Sequence, residues 1–379
     1  MKTLFDLSVS SAAGIEAVTK RELNNLGITD APAKNGRLCF KGDERDIARC
    51  NLFLRTANRV FIVLSSFKAE DFDDLYDGVY AINWQDYLTA DAKIIVTAKC
   101  VSSKLMAYSA CQSVAKKAIC RKLFSALGAN PAETGARYKI EISILKDFVT
   151  VSLDTSGEGL HRRGYRGLVG EAPLKETVAS ALVLLSVWNP SRPLVDLFCG
   201  TGTIPIEAAM IAMNIPSGIN RDFDFTKWKT FDFSCFDGIR EDARSAIKRS
   251  EDLKITGFDI DEEQIRLAMK HARLAGVADC IHLQRGDMRD FSTKNKYGVI
   301  ISNPPYGERL SERNAVKSLY SDFGKVFARY PDWSCYALTS VLDFEKQFGR
   351  KADKKRKIYN GKLECNYYSF LGDKPRKNN

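Results

Sequence analysis

The sequence predicts an α/β protein in which an N-terminal α+β module precedes a larger domain built on a parallel sheet. After Pro193 the chain alternates strictly between strand and helix patterns, beginning with a strand at 194–198 and a helix at 204–213. Alternation of this kind is typical of a parallel sheet with helices on both faces. The segment before residue 155 mixes strand and helix patterns without this regularity, and it ends in a hairpin expected across Lys146-Asp147.

The elements of the N-terminal module follow from the spacing of their apolar residues. These recur at every second position in strand patterns and at every third or fourth position in helix patterns. Asp43 directly precedes a helix pattern, where its side chain can cap the first turn. The predicted elements are strand 4–9, helix 14–26, strand 36–41, helix 43–57, strand 59–67, helix 70–84, strand 93–101, helix 109–127 and strands 138–145 and 148–153.

Residues 155–172 are rich in glycine and arginine and mark a domain boundary. A helix is predicted at 175–187, before the first strand of the larger domain. Residues 214–251 interrupt the alternation with aromatic and charged residues, and we interpret them as an insertion with one local helix. The remaining predicted elements are strand 255–260, helix 262–275, strands 281–284 and 299–302, helix 315–327, and strands 335–339, 357–359 and 365–370.

The composition excludes several classes of protein. With 379 residues, 45% of them hydrophobic and 27% charged, the chain has a globular composition and room for two or three domains. It has no run of 18 apolar residues and no secretion signal at its start, so we expect a cytoplasmic protein without a membrane span. Ten scattered cysteines without a C-x-x-C pair, and only three histidines, argue for reduced thiols and against a metal site.

The net charge of +10 is concentrated near the end of the chain, where eleven Lys and Arg and three Asp and Glu follow residue 345. Two basic runs, Arg350-Lys351 and Lys354-Lys355-Arg356-Lys357, indicate a polyanionic partner. The last basic run, at 374–377, is more typical of a solubilising tail.

The strand at 299–302 ends in Asn303-Pro304-Pro305-Tyr306, which we call the NPPY turn. Prolines fix φ and lack an N–H donor, so this turn is stiff. The Asn303 amide and nearby carbonyls can direct lone pairs at one point beside the Tyr306 ring. This arrangement suits an exocyclic amino group on a flat base, although asparagine and proline also mark ordinary turns.

Three further polar elements follow predicted strands. Residues 196–203, Asp-Leu-Phe-Cys-Gly-Thr-Gly-Thr, form a glycine loop before a helix, where free N–H groups favour a carboxylate or phosphate. The loop lacks the lysine of a P-loop. Asp259 ends the next strand and can accept hydrogen bonds from ribose hydroxyls, while Asp261 is placed to cap the following helix. Asp287 is placed to hold an adenine amino group, with Met288 along the ring face.

In their order and strand-end placement, these elements resemble the Rossmann-like S-adenosylmethionine-dependent methyltransferases. The resemblance implies a mostly parallel seven-stranded sheet, S-adenosylmethionine as the cofactor, and no need for a metal. The NPPY turn matches the signature shared by N6-adenine and N2-guanine methyltransferases. The implied catalytic residues are Asn303, Pro304, Pro305 and Tyr306. The implied cofactor-binding residues are Asp196, Phe198, Gly200, Gly202, Thr203, Asp259, Ile260, Asp287, Met288 and Lys175.

The sequence is also similar to bacterial 23S rRNA guanine-N2-methyltransferases, the longest of which carry a second methyltransferase domain that this sequence lacks. The similarity rests on Gly164-Tyr165-Arg166, on the run Glu-Ala-Pro-Leu-Lys-Glu at 171–176 and on Gly307-Glu308-Arg309-Leu310. Residues 93–105 resemble the THUMP domain, an RNA-binding module. We therefore expect a ferredoxin-like element at 1–60, a THUMP domain at 61–155, a linker and helix contributing to the cofactor pocket at 156–190, and the methyltransferase domain at 191–379.

The expected reaction is methyl transfer to the N2 amino group of a guanine in RNA, with 23S rRNA as the first choice of substrate. The Asn303 side-chain oxygen and the Pro304 carbonyl would accept hydrogen bonds from the amino group. Tyr306 would stack on a base that has left its helix. The expected RNA-binding residues are Lys99, Lys104, Lys116, Lys117, Arg121, Arg163 and Arg166.

Four other functions can be compared with the sequence: two fit its motifs, and two do not. The signature also fits an N6-adenine methyltransferase acting on DNA or RNA, and the THUMP resemblance also fits a tRNA guanine-N2 enzyme. The intact NPPY turn argues against a non-catalytic RNA-binding or ribosome-assembly factor. An NAD-dependent oxidoreductase would need a third helix-packing glycine, but Thr203-Ile204-Pro205 stands in its place.

Overall fold

The computed structural model describes residues 4–34, 36–166, 174–249, 252–307 and 313–373, which form two compact units. The first unit comprises the described residues up to 10, 23–160 and 221–242. The second comprises residues 11–22, 161–220 and 243 onward, again where described. No helix within these described ranges combines the length and the hydropathy needed to cross a bilayer.

The first unit is built on a seven-stranded sheet. In chain order the elements of this part of the sequence are β1 (Phe5–Ser11), α1 (Glu16–Asn25), β2 (Ala33–Lys34), β3 (Arg37–Gly42), α2 (Glu44–Phe53), β4 (Ala57–Lys68), α3 (Phe72–Tyr80), β5 (Lys93–Val101), α4 (Tyr108–Leu127), β6 (Arg137–Leu145) and β7 (Phe148–Asp154). The strand order is β2-β3-β1-β4-β7-β6-β5. Lys146 and Asp147 make the expected turn of the β6–β7 hairpin, with φ values of 50° and 62°.

The central part of the insertion, residues 221–242, belongs to this first unit and not to the C-terminal domain, where it was predicted. Trp228 stacks on Tyr138 of β6 with ring centroids 5.1 Å apart, and its indole N–H donates to the Arg137 carbonyl at 2.9 Å. Phe231 packs edge-on against Phe5 of β1 at 5.7 Å. Phe223, Phe225 and Trp228 of the insertion are buried and are therefore core residues of the first unit.

The second unit contains the strict alternation. Its elements are α5 (Glu176–Leu185), β8 (Leu194–Asp196), α6 (Thr203–Ala212), α7 (Cys235–Ser245, which begins in the first unit), β9 (Ile255–Asp259), α8 (Glu262–Ala275), β10 (Ile281–Arg285), β11 (Val299–Ser302), α9 (Arg313–Ala328), β12 (Ser334–Thr339), α10 (Phe344–Phe348), β13 (Lys354–Asn360) and β14 (Leu363–Phe370). The strand order is β10-β9-β8-β11-β12-β14-β13. The first five of these strands run parallel, and β14 and β13 are antiparallel. The mostly parallel seven-stranded sheet predicted from the sequence is thus confirmed.

An aromatic core lies between this sheet and helices α9 and α10. Phe344 and Phe348 of α10 pack with Phe370 of β14, and the Phe348 and Phe370 centroids are 4.4 Å apart. Gly324 of α9 permits this contact, because a Cβ there would lie 1.9 Å from the Phe348 carbonyl oxygen. Helix α10 was not predicted, since five residues are too few to display a helical repeat.

Candidate active site

The candidate site lies at the carboxyl ends of the parallel strands of the second sheet. Strands β9 and β10 follow β8 on one side, whereas β11 and β12 lie on the other, so the loops after β8 and β11 diverge. A crevice forms at such a switch point, and here it is a cavity of about 830 Å³. The sequence-predicted residues in its wall are Asp196, Phe198, Gly200, Thr203, Asp259, Ile260, Asp287, Met288, Asn303, Pro304, Pro305, Tyr306 and Arg166.

Asp259 and Asp287 stand at the ends of β9 and β10. Asp259 accepts hydrogen bonds from the Gly200 N–H at 2.8 Å and the Asp261 N–H at 3.0 Å, which leaves further lone pairs on its oxygens. Asp261 caps α8, as expected. Asp287 accepts from the Arg289 N–H at 2.9 Å and from its guanidinium at 2.8 Å. Arg289 also lines the cavity and is not among the residues predicted from the sequence.

The NPPY turn is held from within the protein. Tyr320 of α9, which is fully buried, donates its hydroxyl hydrogen to the Pro305 carbonyl at 2.6 Å. Burial raises the pKa of Tyr320 to about 12, so the hydroxyl is a permanent donor at physiological pH. The Tyr306 hydroxyl donates to Asn303 Oδ1, and the same hydroxyl oxygen lies 3.8 Å from the Cys365 sulfur on β14. The acceptor predicted for a substrate amino group therefore has a tyrosine hydroxyl beside it.

Asp196, the last residue of β8, is 1% exposed. The Phe198 N–H donates to its carboxyl group at 3.1 Å, and the Ser302 hydroxyl also bonds to it. Burial raises the pKa of Asp196 to about 7, because its effect is larger than that of the two hydrogen bonds, which lower the pKa. This carboxyl group can therefore change its charge near neutral pH at the floor of the cavity.

The prediction that Arg163 binds RNA is wrong. Its side chain is 1% exposed and pairs with the fully buried Glu207 of α6, with Nε and Nη2 each 3.4 Å from a carboxylate oxygen. Tyr165 donates to the same carboxylate at 3.0 Å, and the Ser180 hydroxyl also contacts it. A buried carboxylate needs such compensation, so Arg163 anchors its segment to α6.

Arg166 was also predicted to bind RNA, and the structure instead attaches it to the glycine loop. One guanidinium nitrogen donates to Thr201 Oγ1 at 2.7 Å and Thr203 Oγ1 at 2.8 Å. The other donates to Glu176 Oε1 at 3.1 Å and to the Leu174 carbonyl at 3.3 Å. These contacts use the four Nη hydrogens, so the fork shape of arginine joins α5 to the loop. Because both threonine oxygens accept from Arg166, their hydroxyl hydrogens are left to donate elsewhere.

Gly202 and Lys175 are predicted cofactor-binding residues that do not line the cavity. A Cβ on Gly202 would lie 3.0 Å from that of Ala268, so this glycine, at φ 80°, allows α6 to pack on α8. Lys175 precedes α5, and its N–H donates to Asn360 Oδ1 at 3.4 Å. The runs 171–173 and 308–310, which contributed to the family resemblance, lie outside the described residues.

One face of helix α8 forms a part of the cavity wall that was not predicted from the sequence. Gln264, Leu267 and His271 recur at spacings of three and four and line the cavity together. His271 is 2% exposed, its Nδ1 is 3.2 Å from the Thr201 carbonyl, and burial lowers its pKa. The helical spacing was visible in the sequence, but which face of α8 meets the glycine loop was not. The described residues contain no group of three or more His, Cys, Asp or Glu side chains placed to hold a metal ion.

The RNA-binding residues predicted in the first unit lie on β5, α4 and the segment between them. Three of them pair with carboxylates: Lys99 with Glu141, Lys104 with Glu70, and Lys116 with Glu133. Lys117 and Arg121 are exposed four residues apart on one face of α4. Their contact with RNA stays a prediction.

Replacing Asp196 should change how stability depends on pH. A carboxyl group whose pKa is about 7 when folded and about 3.9 when unfolded stabilises the protein below pH ~4, and this stability is lost as the pH rises through ~7. Relative to Asp196→Asn, the wild type should lose roughly 4 kcal/mol of unfolding free energy between pH 4 and 8. Urea denaturation of both proteins at several pH values measures this. A constant difference between them would contradict the assignment.

Three family models match the chain. The RlmL ferredoxin-like domain matches residues 6–61, the THUMP domain residues 69–154, and the RMKL-like methyltransferase domain residues 163–369. The resemblances to a ferredoxin-like element, to THUMP and to a Rossmann-like methyltransferase are therefore confirmed.

Similar proteins cover nearly the whole chain. "Putative RNA methyltransferase YpsC" of Bacillus subtilis (strain 168) is 44% identical over 369 residues, which are 97% of this chain and 96% of the relative. The crystal structure of SMU.472 complexed with SAH is 46% identical, with a TM-score of 0.93 over 99% of this chain and 100% of that one. A Listeria monocytogenes str. 4b F2365 protein is described as a "predicted N6-adenine-specific DNA methylase". Its structure is 44% identical, with a TM-score of 0.91 over 98% of this chain and 97% of that one. The chain thus belongs to the family of RMKL-like methyltransferases.

Proposed function

We propose that this methyltransferase transfers a methyl group from S-adenosylmethionine to the N2 amino group of a guanine in RNA, with 23S rRNA as the substrate. The observation that carries the proposal is the presence of the NPPY turn, Asp259 and Asp287 in the wall of one cavity. The THUMP match in the same chain supports RNA as the substrate.

The cavity fits the cofactor in size and in chemistry. Its volume of about 830 Å³ lies within the range of ligand pockets. Asp259 ends β9, where an acidic side chain can accept hydrogen bonds from ribose hydroxyls. Ile260, Leu267 and Met288 supply apolar wall for a flat ring. The SAH bound to the similar SMU.472 supports the same assignment.

The glycine loop suits the carboxylate end of the cofactor. Gly202 is the N-cap residue of α6 and provides no side-chain cap, so the first N–H groups and the dipole of this helix favour an anion. The hydroxyl hydrogens of Thr201 and Thr203 are available as further donors, because Arg166 occupies their acceptor positions. Arg166 is therefore proposed to position these donors.

S-adenosylmethionine, when bound, supplies a methyl group made electrophilic by a sulfonium. The amino nitrogen of guanine is a poor nucleophile, because its lone pair is delocalised into the ring. Asn303 Oδ1 and the Pro304 carbonyl accept hydrogen bonds from its two hydrogens, which favours a tetrahedral nitrogen with a directed lone pair. An amide oxygen accepts two hydrogen bonds, so the Tyr306 hydroxyl and the substrate can share Asn303. Positioning of this kind lowers barriers by several kcal/mol, up to ~7–11 in model reactions.

Guanine in RNA is preferred over adenine because the ferredoxin-like and THUMP elements occur together, as in the rRNA enzymes that the sequence resembles. The second candidate is an N6-adenine methyltransferase, which the description of the Listeria relative favours. The NPPY turn accommodates either amino group.

A nucleoside analysis distinguishes the candidates. The gene is deleted in its host, and the modified nucleosides of rRNA and tRNA are quantified by mass spectrometry. Loss of N2-methylguanosine from 23S rRNA, restored by wild-type protein but not by the Asn303→Ala variant, is the expected result. Loss from tRNA, or loss of N6-methyladenine, would replace the proposed substrate.

Arg166→Lys should weaken cofactor binding. Lysine keeps the charge beside Glu176 but cannot bridge both threonines, so the affinity for SAH should fall on the order of tenfold, or about 1.4 kcal/mol. Isothermal titration calorimetry with SAH measures the change. Arg162→Lys, at an exposed neighbouring position, is the control and should bind as the wild type does. Equal affinities for all three proteins would refute the positioning role.

Asn303→Ala should abolish turnover without loss of the cofactor. Removal of a preorganised polar group commonly lowers kcat by about 100- to 1,000-fold, and SAH affinity should be unchanged. The assay is methyl incorporation into rRNA from the deletion strain under single-turnover conditions. Asn295→Ala, in the exposed segment before β11, is the matched control. Near-normal methylation by Asn303→Ala would exclude the mechanism.

A further inference from the structure

The outer edge of the second sheet is strongly basic. Strand β13 is the last strand of this sheet, and the side chains of Lys354, Lys355, Arg356 and Lys357 are all exposed. Residues 350–357 contain six basic residues and one acidic residue. Nothing in the proposed reaction uses this strand.

The basic run on β13 reaches the level of the cavity at its last residue, Lys357. Lys357 pairs in register with Asn366 of β14, and Asn366 pairs with Thr339, the last residue of the parallel strand β12. The next pair is Ile358 with Cys365, whose sulfur lies 3.8 Å from the Tyr306 hydroxyl. From Lys357 the run extends back to Lys354, about 10 Å along the edge strand and away from the carboxyl ends of the parallel strands. The run thus ends beside β14, the strand whose Cys365 contacts the Tyr306 hydroxyl of the NPPY turn.

Contacts within the protein engage only part of this charge. Lys357 pairs with Glu364 at 2.8 Å, and Arg356 donates to the Gly14 carbonyl at 3.2 Å. Lys355 Nζ lies 4.9 Å from the Tyr368 ring centre, a cation–π contact that attracts the ammonium group without neutralising its charge. Lysines also protect exposed sheet edges against aggregation. Protection alone does not require the dense run of charge beside a cavity.

We propose that β13 binds the phosphate backbone of the RNA strand whose nucleotide enters the cavity. The proposal rests on the proposed function only in taking RNA as the substrate. A base that leaves its helix carries its flanking phosphates to the rim of the pocket. A row of cations that leads away from that rim along the sheet edge releases counterions from the backbone and holds the strand without reading its sequence. The basic strand would therefore add affinity for any RNA sequence.

The test uses the full chain and a labelled 20-nucleotide poly(U) as a sequence-independent probe. Binding of wild type, the double variant Lys354→Gln/Lys355→Gln and the control Lys294→Gln/Lys296→Gln is followed by fluorescence anisotropy between 50 and 300 mM KCl, roughly the range in which such contacts are lost. Lys294 and Lys296 are exposed and precede β11, at the sheet end opposite the cavity. SAH titration and thermal unfolding of each variant verify that the site and fold are intact.

The double variant should lose affinity on the order of tenfold at 0.1 M KCl, and its slope of log K against log salt should be shallower by about 1.4. The control should keep the wild-type slope. Equal slopes for the double variant and the wild type, or an equal loss in the control, would overturn the proposal. The nucleoside analysis tests the proposed function independently. If it identifies another target base, the difference in salt slope still supports RNA binding by β13. If it identifies guanine but the salt slopes are equal, only the role of β13 is refuted.

Discussion

The common direction of the five parallel strands is the constraint on which the rest of the second unit depends. Each parallel connection must return the chain to the same end of the sheet, so every strand delivers its following loop to one edge. At β8 the order of strands reverses, and the loops on the two sides separate to leave a crevice. Motifs spread from residue 196 to residue 306 therefore share a single wall.

Buried polar contacts then hold those loops in place. Glu207 and Glu176 are almost fully inaccessible, and each is compensated by an arginine from the segment that precedes α5. An unpaired charge at such depth would be costly, so these pairs tie the segment to α6 and to the glycine loop. Tyr320 does the same for the NPPY turn through the Pro305 carbonyl. The side chains proposed to touch substrate and those that hold them in place are thus different sets.

Charge is organised differently in the two units. In the first unit, several of the lysines predicted to bind RNA have a carboxylate partner, which reduces the charge they present. In the part of the chain that the structure describes, only Lys357 of the run on β13 pairs with a carboxylate, and the run lies on the edge strand of its sheet. A sheet edge already needs charged side chains for solubility. Adapting such an edge to a polyanion requires only a higher density of lysine and arginine, with no change of fold.

The sequence by itself determined the order of the longer elements, the parallel sheet and most of the cavity wall. These are local properties: the strand and helix periods, the glycines at positive φ, and the acidic and NPPY residues at strand ends all act through neighbouring residues. Tertiary structure decided what depends on a distant partner. Arg163 and Arg166 look alike in the sequence, yet packing against Glu207 and Glu176 removed both from the predicted RNA surface. Likewise, only the folded chain brought one face of α8 to the glycine loop and residues 221–242 of the insertion into the first unit. The free energy gained by burying apolar side chains depends on which surfaces pack together, and that is a property of the whole fold.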